Sequence, residues 1–457
     1  MDTDVNKKVV LVVILLSSFI SSSNHSMVNV ALPAIGRELS MDAIILSWVV
    51  TAHLLATASF QVPIGRFADI CGRKRLFLIG SIIFMVSTLI IALAKVPILL
   101  VLARGLGGVG GAMIVTTGLA ILTSVFPSEE RGQAIAANMA VIYLGIALGP
   151  FLGGILTEFL GWRSIFFFSS ASSLISVLLV IWKLKGEWAE AKGEGFDYRG
   201  SILFVLSIST SMYGFSRLHS LLGIILFLIG LIGMLIFILL EGRIKNPVLN
   251  INIFRNNREF SLSIIAVLIN YCGVFASSFL LSLYLQYIQG LPPRAAGIVL
   301  VTPPAFMTFF AFISGKLGNR FTPRYVATFG LALNCVSLTM LTFLGEGSGL
   351  WYVIASLAIF GVGGGLFSSP NINITMSSVE NKFLGVASGM STTMRSAGMI
   401  LSMGITMILF SLFMGKAEVT PEYYPEFFIS MRTAYIIFAI LCFGGIFVQL
   451  GARASRD

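Results

Sequence analysis

The stretch GRFADICGRKR, residues 65–75, closes one long apolar run and opens the next, and 250 residues later GKLGNRFTPR, residues 315–324, does the same. Gly65 falls on Gly315, Arg66 on Lys316, Phe67 on Leu317, Asp69 on Asn319 and Lys74 on Arg324. The same offset lays the fifth apolar run of the chain on the thirteenth and the sixth on the fourteenth. Short basic loops also recur by chance on the cytoplasmic face of membrane proteins, so this pair alone leaves that alternative open. Two similar halves are what alternating access requires, because two rigid bundles rocking about a site at mid-membrane expose it to each side in turn.

The composition fits that reading. Of 457 residues 56% are hydrophobic and 11% charged, with a mean hydropathy of +0.94, whereas soluble domains carry about 25% charged residues. The chain is expected to be an all-α polytopic membrane protein. Its 37 Phe fill apolar surface, and its 46 Gly let helices approach closely where water does not drive them together. Cys71, Cys272, Cys335 and Cys442 are scattered, with neither a disulfide framework nor metal spacing. No metal or cofactor is expected. The three histidines, His25, His53 and His219, are far apart in sequence and lack the clustering a membrane-embedded enzyme needs, and no stretch reads as a receptor's soluble domain.

Apolar stretches of spanning length fall at about 9–34, 43–65, 75–94, 97–125, 132–158, 162–183, 199–216, 219–241, 260–288, 295–316, 323–345, 349–371, 383–413 and 431–451. The expected organisation is a six-helix bundle over 1–183, a linker with two inserted helices over 184–258, and a second six-helix bundle over 259–457. Lys7, Lys8 and the apolar run after them also suit a signal peptide with small residues at Ser21 to Ser23, but the helical pattern continues to Gly36. With an even number of spans both termini share one side. Most of the 30 Lys and Arg, including the clusters at 66–75, 183–199 and 243–258, fall on that side, which the positive-inside rule makes the cytoplasm. The formal charge of +10 is thereby used for topology and does not argue for nucleic acid.

These residues resemble the major facilitator superfamily, specifically its fourteen-helix drug:proton antiporter branch. GRFADICGRKR resembles the family's loop signature G-x-L-a-D-r-x-G-r-k, with Gly65, Arg66, Asp69, Gly72, Arg73 and Lys74 in register. The resemblance implies a cytoplasmic gate in which Asp69 meets the positive N-terminus of the helix beginning near Leu384, while Arg73 or Lys74 meets Glu129 or Glu130. LGIALGPFLGG, residues 144–154, resembles the antiporter signature through Gly145, Gly149, Pro150, Gly153 and Gly154. In the family this face meets the other half of the protein and is associated with export; ordinary small-residue packing is the simpler alternative. LSWVVTAHLL, residues 46–55, and GWRSIFFF, residues 161–168, look like further parts of that branch. The family implies export of amphipathic or toxic small molecules across the cell membrane, by a monomer, with protons as the coupling ion.

One departure bears on that coupling. Helix 1 of the branch reads D-x-T-I-V-N-V-A-L-P, and here Asn24 stands where the acid is expected, followed by His25 and Asn29. No Asp or Glu lies well inside any span, so a proton carrier has to be sought elsewhere. His25 is the first candidate, with an ordinary pKa of about 6.5; a neutral histidine in a packing seam is the alternative. His25 and Asn29 fall on one helical face and are expected to share a cavity with Arg104. Arg104, in VLARGLGGVGGA, resembles the family's R-x-x-q-G with Gly107 in place of the glutamine; it either faces the bundle interior or snorkels to the interface. Further cavity candidates are His53, Asn270, Tyr271 and Arg395, and more softly Tyr143, Gln286, Asn371 and Asn373. Phe275 and Phe279 read as packing. A chain with two interior arginines and no interior acid also suits an organic anion moved by symport or uniport.

Overall fold

A computed structural model describes residues 6–41, 43–215, 220–242, 244, 247–248, 257–291, 293–317, 321–413, 422 and 424–452. All regular structure among them is helical. The helices are α1 (Lys7–Glu38), α2 (Ala43–Cys71), α3 (Arg73–Leu93), α4 (Pro97–Val125), α5 (Ser128–Leu160), α6 (Arg163–Lys183), α7 (Tyr198–Phe215), α8 (Leu221–Glu241), α9 (Arg258–Leu283), α10 (Pro293–Leu300), α11 (Thr302–Leu317), α12 (Pro323–Thr342), α13 (Leu350–Ser377), α14 (Leu384–Phe413) and α15 (Tyr424–Gly451).

The helix ends follow from local chemistry. Asn6 starts α1 by accepting from the Lys8 and Val9 amides at 3.1 and 3.4 Å, and Asn257 starts α9 by accepting from Phe260 N at 2.9 Å. Pro97 and Pro323 open α4 and α12, where the missing amide hydrogen is not needed. Gly161 leaves α5 at φ 79°, a left-handed conformation that glycine adopts without strain.

The stretch expected as one span over 295–316 is two helices, α10 and α11, breaking just before Pro303 and Pro304, where two successive residues lack amide donors. The expected 260–288 ends in a π-helical turn, Tyr284–Ile288. The last helix begins at Tyr424, seven residues before the expected start at 431. Among the described residues twelve helical stretches are long and apolar enough to cross a membrane; α2 and α7 are not among the twelve, in contrast to the fourteen spans expected.

One compact unit comprises Met1–Ser209, Gly233–Ile251 and Val379–Thr393, the other Thr210–Ile232, Asn252–Ser378 and Met394–Asp457. Within the first, α3 packs on α4 and α6, α2 on α4, and α1 on α5 and α6. Within the second, α12 packs on α13 and α15, α11 on α13, and α9 on α15. The same set of neighbours therefore recurs: α2, α3, α4 and α6 of one unit correspond to α11, α12, α13 and α15 of the other. The cores are apolar, with Phe77, Phe84, Ile114 and Ile121 enclosed in the first unit and Phe427, Tyr435, Phe438 and Leu338 in the second.

Candidate functional site

Small residues decide how closely α1 and α4 approach their neighbours. A Cβ on Gly145 would stand 2.2 Å from Ser22 Oγ, one on Gly149 2.5 Å from Ser26 Cβ, and one on Gly153 2.9 Å from Met27 Cα. The glycines of α5 thus seat the serines of α1, and Ser26 Oγ donates to Ile146 O at 2.9 Å. The run of serines before Asn24 is explained by this seam. The face built by Gly145, Gly149 and Gly153 packs on α1 of the same unit. A Cβ on Gly154 would meet nothing within 4 Å, since one residue further turns off the face. Pro150 lies inside α5 between these glycines.

On α4, Gly108 and Gly111 face α2. A Cβ on Gly108 would lie 2.4 Å from His53 O, and one on Gly111 3.6 Å from the His53 ring. This clearance admits the buried His53 beside His25, with ring centroids 6.0 Å apart. Thr57 Oγ1 donates to His53 O at 2.7 Å and to Gly108 O at 3.1 Å. Arg104, 1% exposed, donates from Nε to Val49 O at 2.7 Å and from Nη1 to Asn24 Oδ1 at 3.3 Å. Asn24 in turn donates from Nδ2 to Ser169 Oγ on α6 at 2.8 Å. Arg104 is not snorkelling. Its Nη2 and His53 Nδ1 are enclosed without a partner, and the oxygens it donates to, Val49 O and Asn24 Oδ1, are neutral.

The structure therefore brings Asn24, His25, His53 and Arg104 together in the first unit. Asn29, expected to share that face, is exposed: Asn24 meets Arg104 instead, and His25 turns to His53. Sequence reasoning does not single out Ser169, although the serines of SSASS, 169–173, in an otherwise apolar helix are its signal.

In the second unit Arg395 lies over the Tyr271 ring, 5.8 Å from its centroid. A Cβ on Gly398 would stand 2.5 Å from Leu268 O, so α14 and α9 touch closely there. Asn270 points elsewhere, accepting from Asn334 Nδ2 at 2.9 Å. Asn371 donates to Gln449 Oε1 at 2.8 Å and to Ser263 O at 3.1 Å. These are helix-to-helix ties. Tyr143 is buried, Asn373 Oδ1 is enclosed without a partner, and Phe279 packs on Phe410. The Gln286 side chain lies outside the described residues.

The loop signature forms a second, tighter cluster. Asp69 is fully buried; its carboxylate accepts from Gly385 N at 3.0 Å and Val386 N at 3.2 Å at the start of α14. It also accepts from Arg73 Nε and Nη2 at 2.9 and 2.7 Å. Gly65 and Gly385 face each other, each leaving no room for a Cβ against the other's carbonyl oxygen. The expected pairing of Arg73 or Lys74 with Glu129 or Glu130 is not the arrangement found. Arg73 is held by Asp69, by Ser124 Oγ at 2.6 Å and by Asn381 O at 2.5 Å, and Glu130 pairs with Lys7 at 3.0 Å.

At the far end of α1, Glu38 accepts from Trp162 Nε1 at 2.7 Å and from Arg163. The hydrogen bonds from Arg163 and Trp162 hold its carboxyl below the ordinary range.

Membrane-length helices, a repeated neighbour set and polar clusters buried inside each unit define a membrane transporter. The chain belongs to the Major Facilitator Superfamily, whose pattern matches residues 14–241 and 263–455, and it resembles that family's multidrug exporters. The riboflavin transporter RibZ of Clostridioides difficile is 28% identical over 99% of this chain and 98% of its own. The multidrug resistance protein Stp of Mycobacterium tuberculosis is 28% identical over 83% of this chain and 71% of its own. The methylenomycin A resistance protein of Bacillus subtilis is 24% identical over 98% and 96%. Among solved structures, the human organic anion transporter MFSD10 shares the fold, with a TM-score of 0.71 at 13% identity, covering 97% of this chain and 99% of that one.

Proposed function

We propose that this transporter exports small amphipathic compounds across the cell membrane by alternating access in exchange for protons, as a monomer with both termini in the cytoplasm. In this reading α2 and α7 complete fourteen spans, 1–183 and 259–457 are the two bundles, and 184–258 joins them. The observation that carries it is the buried Asp69 carboxylate on the first amides of α14. A carboxylate at a helix N-terminus is a strong contact that a sliding helix can break as a unit, which is what a cytoplasmic latch needs. Gly65, Gly72, Arg66, Arg73 and Lys74 belong to that latch.

Asn24, His25, His53 and Arg104 of the first unit are the residues that solute and proton meet there; within the second unit Tyr271 and Arg395 are the candidates. With Asn24 replacing the acid of related exporters, His25 carries the proton, its ring facing His53. Relatives that bear riboflavin and methylenomycin in their names support small multifunctional solutes as cargo.

Purified protein in proteoliposomes tests this with ethidium, riboflavin and carboxyfluorescein, each with and without an inward proton gradient. Gradient-driven movement of ethidium or riboflavin that is lost in Asp69→Asn is expected. If His25→Ala leaves solute-driven proton flux intact, the proton-carrier role of His25 is wrong. A second reading is favoured by the Arg104 cluster, whose cation donates to neutral oxygens: an organic anion supplies the missing charge, by symport or uniport. Movement of carboxyfluorescein alone, indifferent to the gradient, would select that reading over drug export.

A further inference from the structure

The segment between α6 and α7, LKGEWAEAKGEGFD over 184–197, does not hang free. It lies across the junction of α2 and α3, where α2 carries Asp69, and ties to it at five successive places. The Glu187 carboxylate accepts from Lys74 N at 2.8 Å and from Arg75 N at 3.2 Å, capping the first turn of α3 where amides have no helical partner. Arg73 N donates to Trp188 O at 2.9 Å, and Ala191 N donates to Asp69 O at 3.0 Å. Glu194 pairs with the buried Arg66 at 2.5 Å. Phe196 sets its ring edge-on to Phe67, with centroids 5.1 Å apart.

The geometry is specific to this crossing. Gly72 has φ 112°, and a Cβ there would stand 2.6 Å from the Glu187 carboxyl carbon; the second glycine of the loop signature is what lets the acid reach the α3 amides. Gly193, at φ 94°, turns the segment so that Glu194 follows Ala191 back toward Arg66.

We infer that residues 184–197 are a strap that positions the cytoplasmic latch. Asp69 offers its backbone oxygen to the strap and its carboxylate to the α14 amides, so the strap holds the end of α2 at the angle from which Asp69 reaches Gly385 and Val386. Glu187 and Glu194 are positioning residues, acting through Arg66, Asp69 and the first turn of α3. They bias the carrier toward its latched state, and loosening them lowers the barrier to opening toward the cytoplasm. This inference rests on the alternating-access reading.

Thr393 supplies a reporter that the strap does not touch. Its Oγ1 donates to Ala58 O at 3.2 Å, it is 1% exposed, and it lies two turns inward of Gly385 on α14. In full-length Thr393→Cys protein in proteoliposomes, the rate of maleimide labelling at position 393 is followed by peptide mass spectrometry, with the buried Cys442 as an internal gauge of general unfolding. Glu187→Gln combined with Glu194→Gln is expected to speed labelling at 393 about fivefold without changing Cys442, the size expected for partly exposed charge contacts. Restoring the second acid as Glu194→Asp should recover part of the protection. Asp69→Asn serves as the reference for an opened latch. If Asp69→Asn speeds labelling and the strap variants do not, the strap inference is overturned while the latch reading stands. If Asp69→Asn itself has no effect, the latch reading fails and the strap inference falls with it. Equal acceleration at 393 and Cys442 would show general loosening and also overturn the inference.

Discussion

Two arginines of the first unit, Arg73 and Arg104, are enclosed almost completely, 0% and 1% exposed, yet they have different kinds of partner. Arg73 faces a carboxylate, a carbonyl and a hydroxyl. Arg104 faces an amide oxygen and a backbone carbonyl, with Nη2 unpartnered. A buried cation with its counter-charge in place is fixed, and removing either member strands the other. One satisfied only by dipoles lacks full compensation, so an arriving negative charge, or a proton shifting on a neighbour, changes its energy most. The first arrangement suits a latch and the second a site that answers to a solute.

The largest test of that contrast is Asp69→Asn. It leaves Arg73 enclosed with neutral partners and weakens the cap on α14, so a loss of about 3–5 kcal/mol in unfolding stability is expected, read as a lowered melting temperature in detergent. Arg104→Gln, which removes a buried charge rather than stranding one, should change melting far less. Similar losses in both variants would break the comparison, because Arg104 would then be as firmly paired as Arg73.

Next in size is Gly149→Val. The added atoms meet Ser26 Cβ and Ser23 O and push α1 off α5, carrying Asn24 away from Arg104. Overpacking of this kind costs about 1–3 kcal/mol. Gly154→Ala, with open space at its Cβ, should be nearly neutral in the same melts. If Gly149→Val melts like the unaltered protein, the α1–α5 seam does not set the depth of Asn24.

The α1 residues also show how much of this was readable beforehand. Residues about 100° apart per step put Asn24 and Asn29 roughly 140° apart around the helix, so only one of them can meet Arg104. The sequence leaves open which, because it carries the spacing of the face but not its rotation against α4. The glycines of α5 announced a close contact, and their partner α1 became visible only once the serines were seen opposite them. The contact of Asp69 with the start of α14 was legible from its motif, whereas its pairing with Arg73, expected instead on Glu129 or Glu130, was not. The strap was not: Glu187 and Glu194 read as charges in a linker, and nothing local in sequence connects them to Arg66 or to the α3 amides more than a hundred residues away. Helix limits were legible wherever Pro, Gly or Asn punctuated the chain. The break between α10 and α11 depended on two prolines that length and hydropathy alone pass over.

A smaller effect sharpens the contrast from the other side. Asn24→Asp places a carboxylate 3.3 Å from Arg104 Nη1, where the amide oxygen now sits, and makes the second arginine resemble the first. Melting should rise, by about 1 kcal/mol after the desolvation of the new acid is offset. Movement of an anionic dye, if the carrier accepts one, should fall, because the protein now supplies the charge the solute would bring. Unchanged anion movement together with raised stability would show that Arg104 does not face the solute.

The smallest effect concerns an ion pair in contact with water, a baseline for both buried arginines. Glu38 is half exposed beside Arg163, and the hydrogen bonds from Arg163 and Trp162 lower its pKa from the ordinary 4.5. A depressed folded-state value means that the pair stabilises the fold above the unfolded-state pKa and that this contribution is lost as pH falls through the depressed value. Screening by water limits it to roughly 0.5 kcal/mol. Melting of the unaltered protein should therefore exceed that of Glu38→Gln slightly near neutral pH, and the gap should close only below about pH 4.5. A gap that stays constant across that range would mean that Trp162, which can donate to glutamine as well as to glutamate, accounts for the tie, and that the charge on Glu38 adds nothing. The buried Asp69–Arg73 pair has no such neutral substitute, since the amide introduced by Asp69→Asn offers one acceptor oxygen where Arg73, Gly385 and Val386 now share two.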